Sequence, residues 1–478
     1  MMRSLYSGVS GLKVHQTKMD VIGNNISNVN TVGFKSSQVN FSDILYQTSS
    51  AASGPNTTTG TAGVNAKQIG LGANVASITS SMTVSGGSQR TDNALDIMIE
   101  GEQFFIVNNG SRNLFTKAGA FNVDANGVLC NSSGCKVMGW QVDPLDSQKC
   151  VQDTVSELKV MAPETMYIEP LPTENTYFSG NIDYKDTQLQ SDTGKTTTMA
   201  FYDNLGQSYM AIMKLQQSPD AQNAYKVSVT DILDSKGDSI FVQKTVEDDG
   251  SITYGASAIT SFIFGGDGDS FSAEVDEEGN VSIDMEGVDL IFDSETGKFS
   301  SVGAEEGGKS VFFRVESDPS PFKMITCDFS SMTMYASSGS STFKSARGDL
   351  NGYGAGKPQG NMTGMSVDVS GRIYGSYDNG DTKLLCQIAV ASFANPAGLE
   401  AVGSSLFATT MNSGDFDGVG QDVSLSGGKM NTGVLEMSNV DLSTEFTSMI
   451  TTQRGFQANS RIITTSDTLL EELINLKR

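Results

Sequence analysis

With 478 residues the chain has room for roughly two to four domains. A hydrophobic fraction of 38% with 51 glycines favours many short strands joined by tight turns. Its 31 Lys and Arg against 55 Asp and Glu leave a net charge of −24, which argues against nucleic-acid binding and against docking on anionic lipid, since both need surface cations. No apolar run approaches the ~18–20 residues of a membrane span, so no membrane insertion is expected. The N-terminal segment lacks the continuous apolar core and cleavage site of a Sec signal peptide.

The first predicted element is a helix. Leu5, Leu12, Met19 and Ile26 recur at a spacing of seven, and Val9, Ile22 and Val29 widen the stripe. Such a repeat describes a helix that wraps on a partner in left-handed fashion. Gly8, Gly11 and Gly23 weaken it by up to ~1 kcal/mol each. The helix is expected to stop near Asn30, with Gly33 turning the chain in a left-handed conformation. Residues 36–85 then read as a linker or loop region. Within it, residues 47–66 carry few large apolar side chains.

From about Ile78 to Leu435 the pattern is that of strands. Leu95, Ile97 and Ile99 alternate with Asp96, Met98 and Glu100, and Phe104–Val107 run into the turn Asn108-Asn109-Gly110. Phe121 and Val123 precede the turn Asp124–Gly127. Val367 and Val369 precede Ser370-Gly371, and Asn379-Gly380 turns again. A middle block alternates in the same way at Thr196–Tyr202, Tyr209–Leu215, Tyr225-Val227-Val229 and Val281-Ile283-Met285. The Pro-containing stretch Met161–Pro172 and the Ser-rich stretch Ser330–Ser345 look like its two joints. A β domain inserted between two halves of another accounts for this order.

The last element is again helical. Leu442, Met449, Phe456, Ile463 and Leu470 recur at seven, flanked by Phe446, Leu473 and Ile474. Ser438 or Asn439 can cap it, Asp441 and Glu445 suit the positive end of the dipole, and the closing Leu-Lys-Arg suits the negative end. The second heptad position decays to Gln453, Ser460 and Asp467. Neither terminal helix is therefore expected to be stable alone. Periodicity leaves two readings open: an intramolecular helical hairpin, or packing on neighbouring copies.

Residues with catalytic chemistry are sparse. The one histidine, His15, lies on a helical face with no zinc-spaced partner and no Ser-His-Asp set around it. Gly265-Gly266-Asp267-Gly268-Asp269 stops short of a calcium loop, since Ser270 and Phe271 stand where ligands belong. Asp415, Asp417 and Asp422 read as acidic turn residues. No catalytic, cofactor-binding or metal-binding residue is assigned, and no enzyme is expected. Cys130, Cys135, Cys150, Cys327 and Cys386 are odd in number, so they close no framework. A local bridge between Cys130 and Cys135 stands beside the reading of five free thiols.

The segment Asp20–Lys35, with Gly23, Asn24, Asn25, Asn28, Gly33, Phe34 and Lys35, closely resembles the N-terminal signature of the flagellar rod and hook family. Gly433–Arg478, with Gln453, Arg454, Gly455 and Asn459, resembles its C-terminal signature. Asn93–Phe105 and Phe393–Leu399 match in style. The resemblance implies a mainly β fold with α-helical termini. Residues 1–35 and 438–478 are the helices of a coiled-coil-like inner assembly domain, 86–160 and 340–435 the halves of a discontinuous β domain, and 165–335 an inserted outer β domain. It further implies a non-enzymatic homopolymer, exported without a cleaved signal peptide by the flagellar type III apparatus. Its expected neighbours are rod, hook cap and hook-filament junction proteins. The length of the insert favours a subunit of the hook, a universal joint between motor and filament, over the shorter distal rod. A secreted adhesin-like protein is the rival from outside the family.

Overall fold

The computed structural model describes residues 2–55, 60, 62–143, 146–219, 223–246, 252–266, 269–303 and 307–476. The chain divides into two compact units. One comprises Met1–Met166, Thr363–Ser376 and Thr382–Arg478, the other Tyr167–Met362 and Tyr377–Asp381. Each is mainly β, and helices stand only at the chain ends apart from two short 3-10 turns among the described residues.

In the first unit, helix α1 (Met2–Ser27) ends three residues before the expected Asn30. There the Asn28 side chain donates to the Asn24 carbonyl at 2.9 Å and diverts the backbone into turns. The stretch expected to be a linker, 36–85, is instead a two-stranded ribbon. Strand β1 (Ser37–Asp43) pairs antiparallel with β4 (Ala73–Ser80), and β2 (Tyr46–Ser50) with β3 (Lys67–Gly70). The residues of β2 and β3 are all exposed. The backbone ladder alone holds this part of the ribbon, so no buried face imposed an alternating pattern on its sequence. Of the segment 47–66, residues 56–59 and 61 lie outside the described residues, and Ser53 and Val64 exchange two backbone hydrogen bonds of 2.9 Å.

The β body of this unit is one sheet built from both sides of the insertion. Strands Thr382–Ile388, Lys136–Gln141, Phe104–Asn108, Asn113–Thr116, Leu406–Ala408 and Glu400–Gly403 are neighbours in that order. Phe104, Ile106, Phe115, Trp140, Phe393 and Phe407 form its core. The Trp140 indole N–H donates to the carbonyls of Asp153 and Val419, both at 3.0 Å, so the largest core side chain is also hydrogen-bonded.

The second unit packs a seven-stranded sheet with a five-stranded one around Phe178, Phe201, Tyr225, Phe262, Phe313 and Phe329. Its strands show the alternation predicted, as in Ser208–Gln217 and Ala224–Leu233, with one break at Thr230-Asp231 in the latter. Its far boundary does not lie in the Ser-rich stretch. Ser330–Thr333 complete the core strand Ile325–Thr333, Lys344–Arg347 join the same sheet, and the unit continues to Met362. The serines look like a linker in sequence because their partners are remote. The Asp183 carboxylate accepts from the backbone N–H groups of Ser337 and Gly339, and that of Asp186 from Ser341. The second half of the discontinuous β domain therefore begins after residue 362, not at 340.

Helix α2 (Leu442–Asn475) is capped by Asp441, whose carboxylate accepts from the Ser443 N–H at 2.9 Å and the Thr444 hydroxyl at 2.7 Å. Neither Ser438 nor Asn439 is the cap. It runs antiparallel to α1: Gly8 meets Ile463, His15 meets Gly455, and Asn25 meets Glu445. Two glycines expected to weaken α1 are where the helices touch. A Cβ on Gly11 would stand 2.6 Å from the Asn459 amide nitrogen, and one on Gly8 3.2 Å from Ile463. Gly23 faces open space. Gly11→Val is therefore expected to lower helix content in far-ultraviolet circular dichroism by separating the pair. Gly23→Ala should raise it, strengthening α1 by about 1 kcal/mol; equal effects of the two would contradict this packing.

Candidate assembly site at the paired chain ends

The apolar heptads share the seam with polar residues: Ile463 stands against Gly8. Leu5, Leu12, Met19 and Ile26 on α1 and Met449, Phe456, Ile463 and Leu470 on α2 are only half-buried, and Leu442 is exposed. The face of α2 toward α1 carries Glu445, Thr452, Asn459 and Ser466, also at a spacing of seven, and Thr452 and Ser466 are its buried residues. Polar and small side chains thus let the backbones approach. Ribbon residues cover another face of α1: the Phe41 ring meets His15 edge-on at 6.0 Å and lies 5.6 Å from the Lys18 ammonium. Burial, and then the Lys18 charge, lower the His15 pKa from 6.5, so the ring is neutral at pH 7.

Below the helices the N-terminal motif is tied to the C-terminal segment. Asn25 is buried. Its amide donates to the Ser37 carbonyl and to the Glu445 carboxylate, both at 2.9 Å, and its oxygen accepts from the Ser37 N–H at 3.0 Å. Gly33 has φ +67°, as expected, and a Cβ there would stand 2.6 Å from the Ala118 nitrogen. Its N–H donates to the Glu436 carbonyl at 2.8 Å. Lys35 and Glu436 form an ion pair of 2.8 Å whose side chains are 2% and 0% exposed. The same ammonium donates to the Val84 carbonyl at 2.8 Å, and the carboxylate accepts from the Gly86 N–H at 3.0 Å. Asn439, free of capping duty, accepts from the Ser36 N–H at 2.7 Å and donates to Ser81 and Val84.

A second buried lysine stands near this pair. Lys117 donates to the Gly101 carbonyl at 2.7 Å and lies 5.0 Å from the centre of the Phe104 ring. Burial pushes its pKa from 10.5 down to about 8; Glu436 opposes the shift, Lys35 adds to it and Glu102 opposes it.

The structure thus gathers Asn25, Gly33, Lys35, Gly455 and Asn459 of the motifs into contacts between chain ends. Asn24, Gln453 and Arg454 stay exposed. Phe34 is half-buried. Glu436, Asn439 and Lys117 were missed. The one available signal was an acid set in the apolar strand Val434–Glu436 and followed by Met437. All five cysteines are free: Cys130 and Cys135 fall on adjacent rungs of one hairpin, opposite Lys136 and Asn131, rather than on a shared rung. Among the described residues no group of three or more His, Cys, Asp or Glu could hold a metal. Asp267 and Gly268 of the calcium-like turn lie outside them. Asp417 and Asp422 accept from the N–H groups of Val419 and Ser424 as turn residues.

Four family models match in chain order. Residues 5–35 match the flagella basal body rod protein model, and 98–167 the D1 domain of the flagellar hook protein FlgE/F/G. Residues 173–353 match the D2 domain of the flagellar basal body protein FlaE, and 431–476 the C-terminal model of the flagellar basal body rod FlgEFG proteins. The chain is 35% identical over 492 residues to the flagellar hook protein FlgE of Treponema pallidum, and 36% over 487 to that of Borreliella burgdorferi, covering 100% of each pair. It is 28% identical over 478 residues to the flagellar basal-body rod protein FlgG of Bacillus subtilis, again end to end.

Two measurements probe the junction. Glu436→Leu leaves the Lys35 charge buried alone and is expected to cost about 3–5 kcal/mol in urea unfolding, while adding Lys35→Met recovers most of the loss. If the double variant is no better than the single, the pair is not the source. Lys117 has a lower pKa folded than unfolded. Below about pH 8 both states hold its proton, and between about 8 and 10.5 only the unfolded chain does. Stability from this group therefore rises with pH across that window, by up to about 3 kcal/mol. The rise should vanish in Lys117→Met, and an unchanged pH slope would contradict it.

Proposed function

The chain belongs to the flagellar hook protein family, and on that premise we propose that many copies build the curved helical tube that transmits torque between motor and filament as a universal joint. The subunit is structural. One observation carries the polymer reading: α2 presents apolar residues that its own chain does not cover. Leu442, Phe446 and Ile450 form one exposed group, and Ile462, Leu469, Leu473 and Leu476 another. At ~100° per residue the two groups lie about 150° apart around the helix axis. The polar seam toward α1 separates them on one side.

Full burial of a single such side chain contributes ~1.5–3 kcal/mol. Two unlike flanks also suit contacts that repeat without closing, the geometry of an open helical polymer. The reading accounts for marginal helices in the free subunit, since they gain most of their burial from neighbours. In it, export by the flagellar type III apparatus precedes assembly outside the cell. Rod, hook cap and hook-filament junction proteins meet the tube at its ends.

The distal rod is the second reading, favoured by the full-length alignment with the Bacillus subtilis rod protein. The higher identity to hook proteins weighs against it. Antibody label on a short curved segment of sheared flagella is the outcome expected for a hook subunit; label confined to a straight rod would reverse the assignment. Removal of Asp441–Arg478 is expected to leave a folded β chain that forms no tubes. Tubes from that chain under the electron microscope would refute assembly through α2.

A further inference from the structure

A groove runs between α1 and the ribbon. Its volume is about 760 Å³, and Val14, Leu71 and Val75 line it alongside Tyr6, Val9 and Ile44. The last three are 66%, 38% and 44% exposed, an apolar surface left open among the described residues. The charged residues lining it, Arg3 and Lys13, are both cations, in a chain whose net charge is −24. No residue of α2 lines the groove, because α2 packs on the face of α1 that carries Gly8, Gly11 and His15.

We infer that this groove receives the C-terminal stripe of α2, Ile462 to Leu476, from a second copy of the chain. The inference rests on the polymer reading above and names one of its contacts. The stripe supplies Ile462, Leu469, Leu473 and Leu476 at i, i+7, i+11 and i+14, the last 84% exposed. Of the exposed acids on this stretch, Glu472 lies beside the stripe, about 70° around the helix from its centre, while Asp467 and Glu471 face the other way; the stretch also holds the negative end of the helix dipole. The apolar stripe and the Glu472 carboxylate at its edge therefore match a groove lined by Arg3 and Lys13. The other exposed group, Leu442, Phe446 and Ile450, fits less well. It lies at the positive end of the dipole, and its nearby acids are engaged, Asp441 in capping α2 and Glu445 in binding Asn25. The contact is heterologous: each copy offers a groove to one neighbour and a stripe to another, so it propagates.

The test uses the full chain with the photoreactive p-benzoylphenylalanine at Tyr6. Heavy-isotope-labelled and unlabelled chains are mixed, assembled into tubes and irradiated, and crosslinked peptides are read by mass spectrometry. The expected product joins the Tyr6 position of one isotope to Ile462–Leu476 of the other. Crosslinks to Leu442–Ile450 or elsewhere, crosslinks within one chain only, or none at all in formed tubes would each overturn the assignment. If the Tyr6 variant does not assemble, the same probe at Ile44 gives the same readout from the ribbon side. Independently, Glu472→Lys should raise the concentration needed for assembly by about tenfold. Adding Arg3→Glu and Lys13→Glu to that chain should restore it; no rescue counts against the pairing. Failure of the unmodified chain to form tubes, or tubes formed without α2, would instead refute the polymer reading itself.

Discussion

The buried pair of Lys35 and Glu436 holds together segments separated by 401 positions in sequence. Two charges removed from water need more than each other, and here both have more: the Val84 carbonyl for the ammonium and the Gly86 N–H for the carboxylate. Around them Gly33 donates to the Glu436 backbone, and Asn439 braces Ser36. Just beyond this knot α1 and α2 leave side by side. Their antiparallel register follows from where the knot places their roots. Replacing the knot by an apolar contact would lose direction, since a hydrophobic patch tolerates sliding where a hydrogen-bonded pair does not.

The division of labour along α2 follows from that register. The face toward α1 is mostly small and polar, with Ile463 against Gly8, which brings backbones close but buries little apolar surface. The large apolar side chains stand on the flanks. In a monomeric domain this distribution would be inverted, with the leucines inside. As built, the isolated chain leaves much of its hydrophobic stabilisation unrealised, and association realises it. A surface with that much exposed apolar area on helices, and a net charge of −24 elsewhere, favours ordered contact at the chain ends and repulsion over the rest.

Much of this was legible in the residues. Heptads at Leu5–Ile26 and Leu442–Leu470 announced both helices, and alternation such as Tyr225-Val227-Val229 announced the strands of the second unit. The true seam was not legible, because Thr452, Asn459 and Ser466 carry no apolar signal and match the spacing only once Gly11 and His15 are seen across from them. The far part of the ribbon was missed for a related reason: β2 and β3 bury nothing and need no alternation. The Ser-rich stretch misled because the carboxylates of Asp183 and Asp186 that order it are some 150 residues away in sequence. Asn439 misled because a good helix cap is also a good clamp, and tertiary contacts chose the second use.

The long loop closed by Lys35 and Glu436 makes the fold sensitive to whether the polypeptide is whole. A chain that stops anywhere before residue 436 still contains Lys35 and the apolar surroundings into which it is inserted, but has no counter-charge to bring there. Its N-terminal helix also has no α2 to lie against. Truncated products of interrupted synthesis or proteolysis therefore lack both the counter-charge and α2 at once. The last tenth of the chain is thus required to neutralise a charge placed in the first.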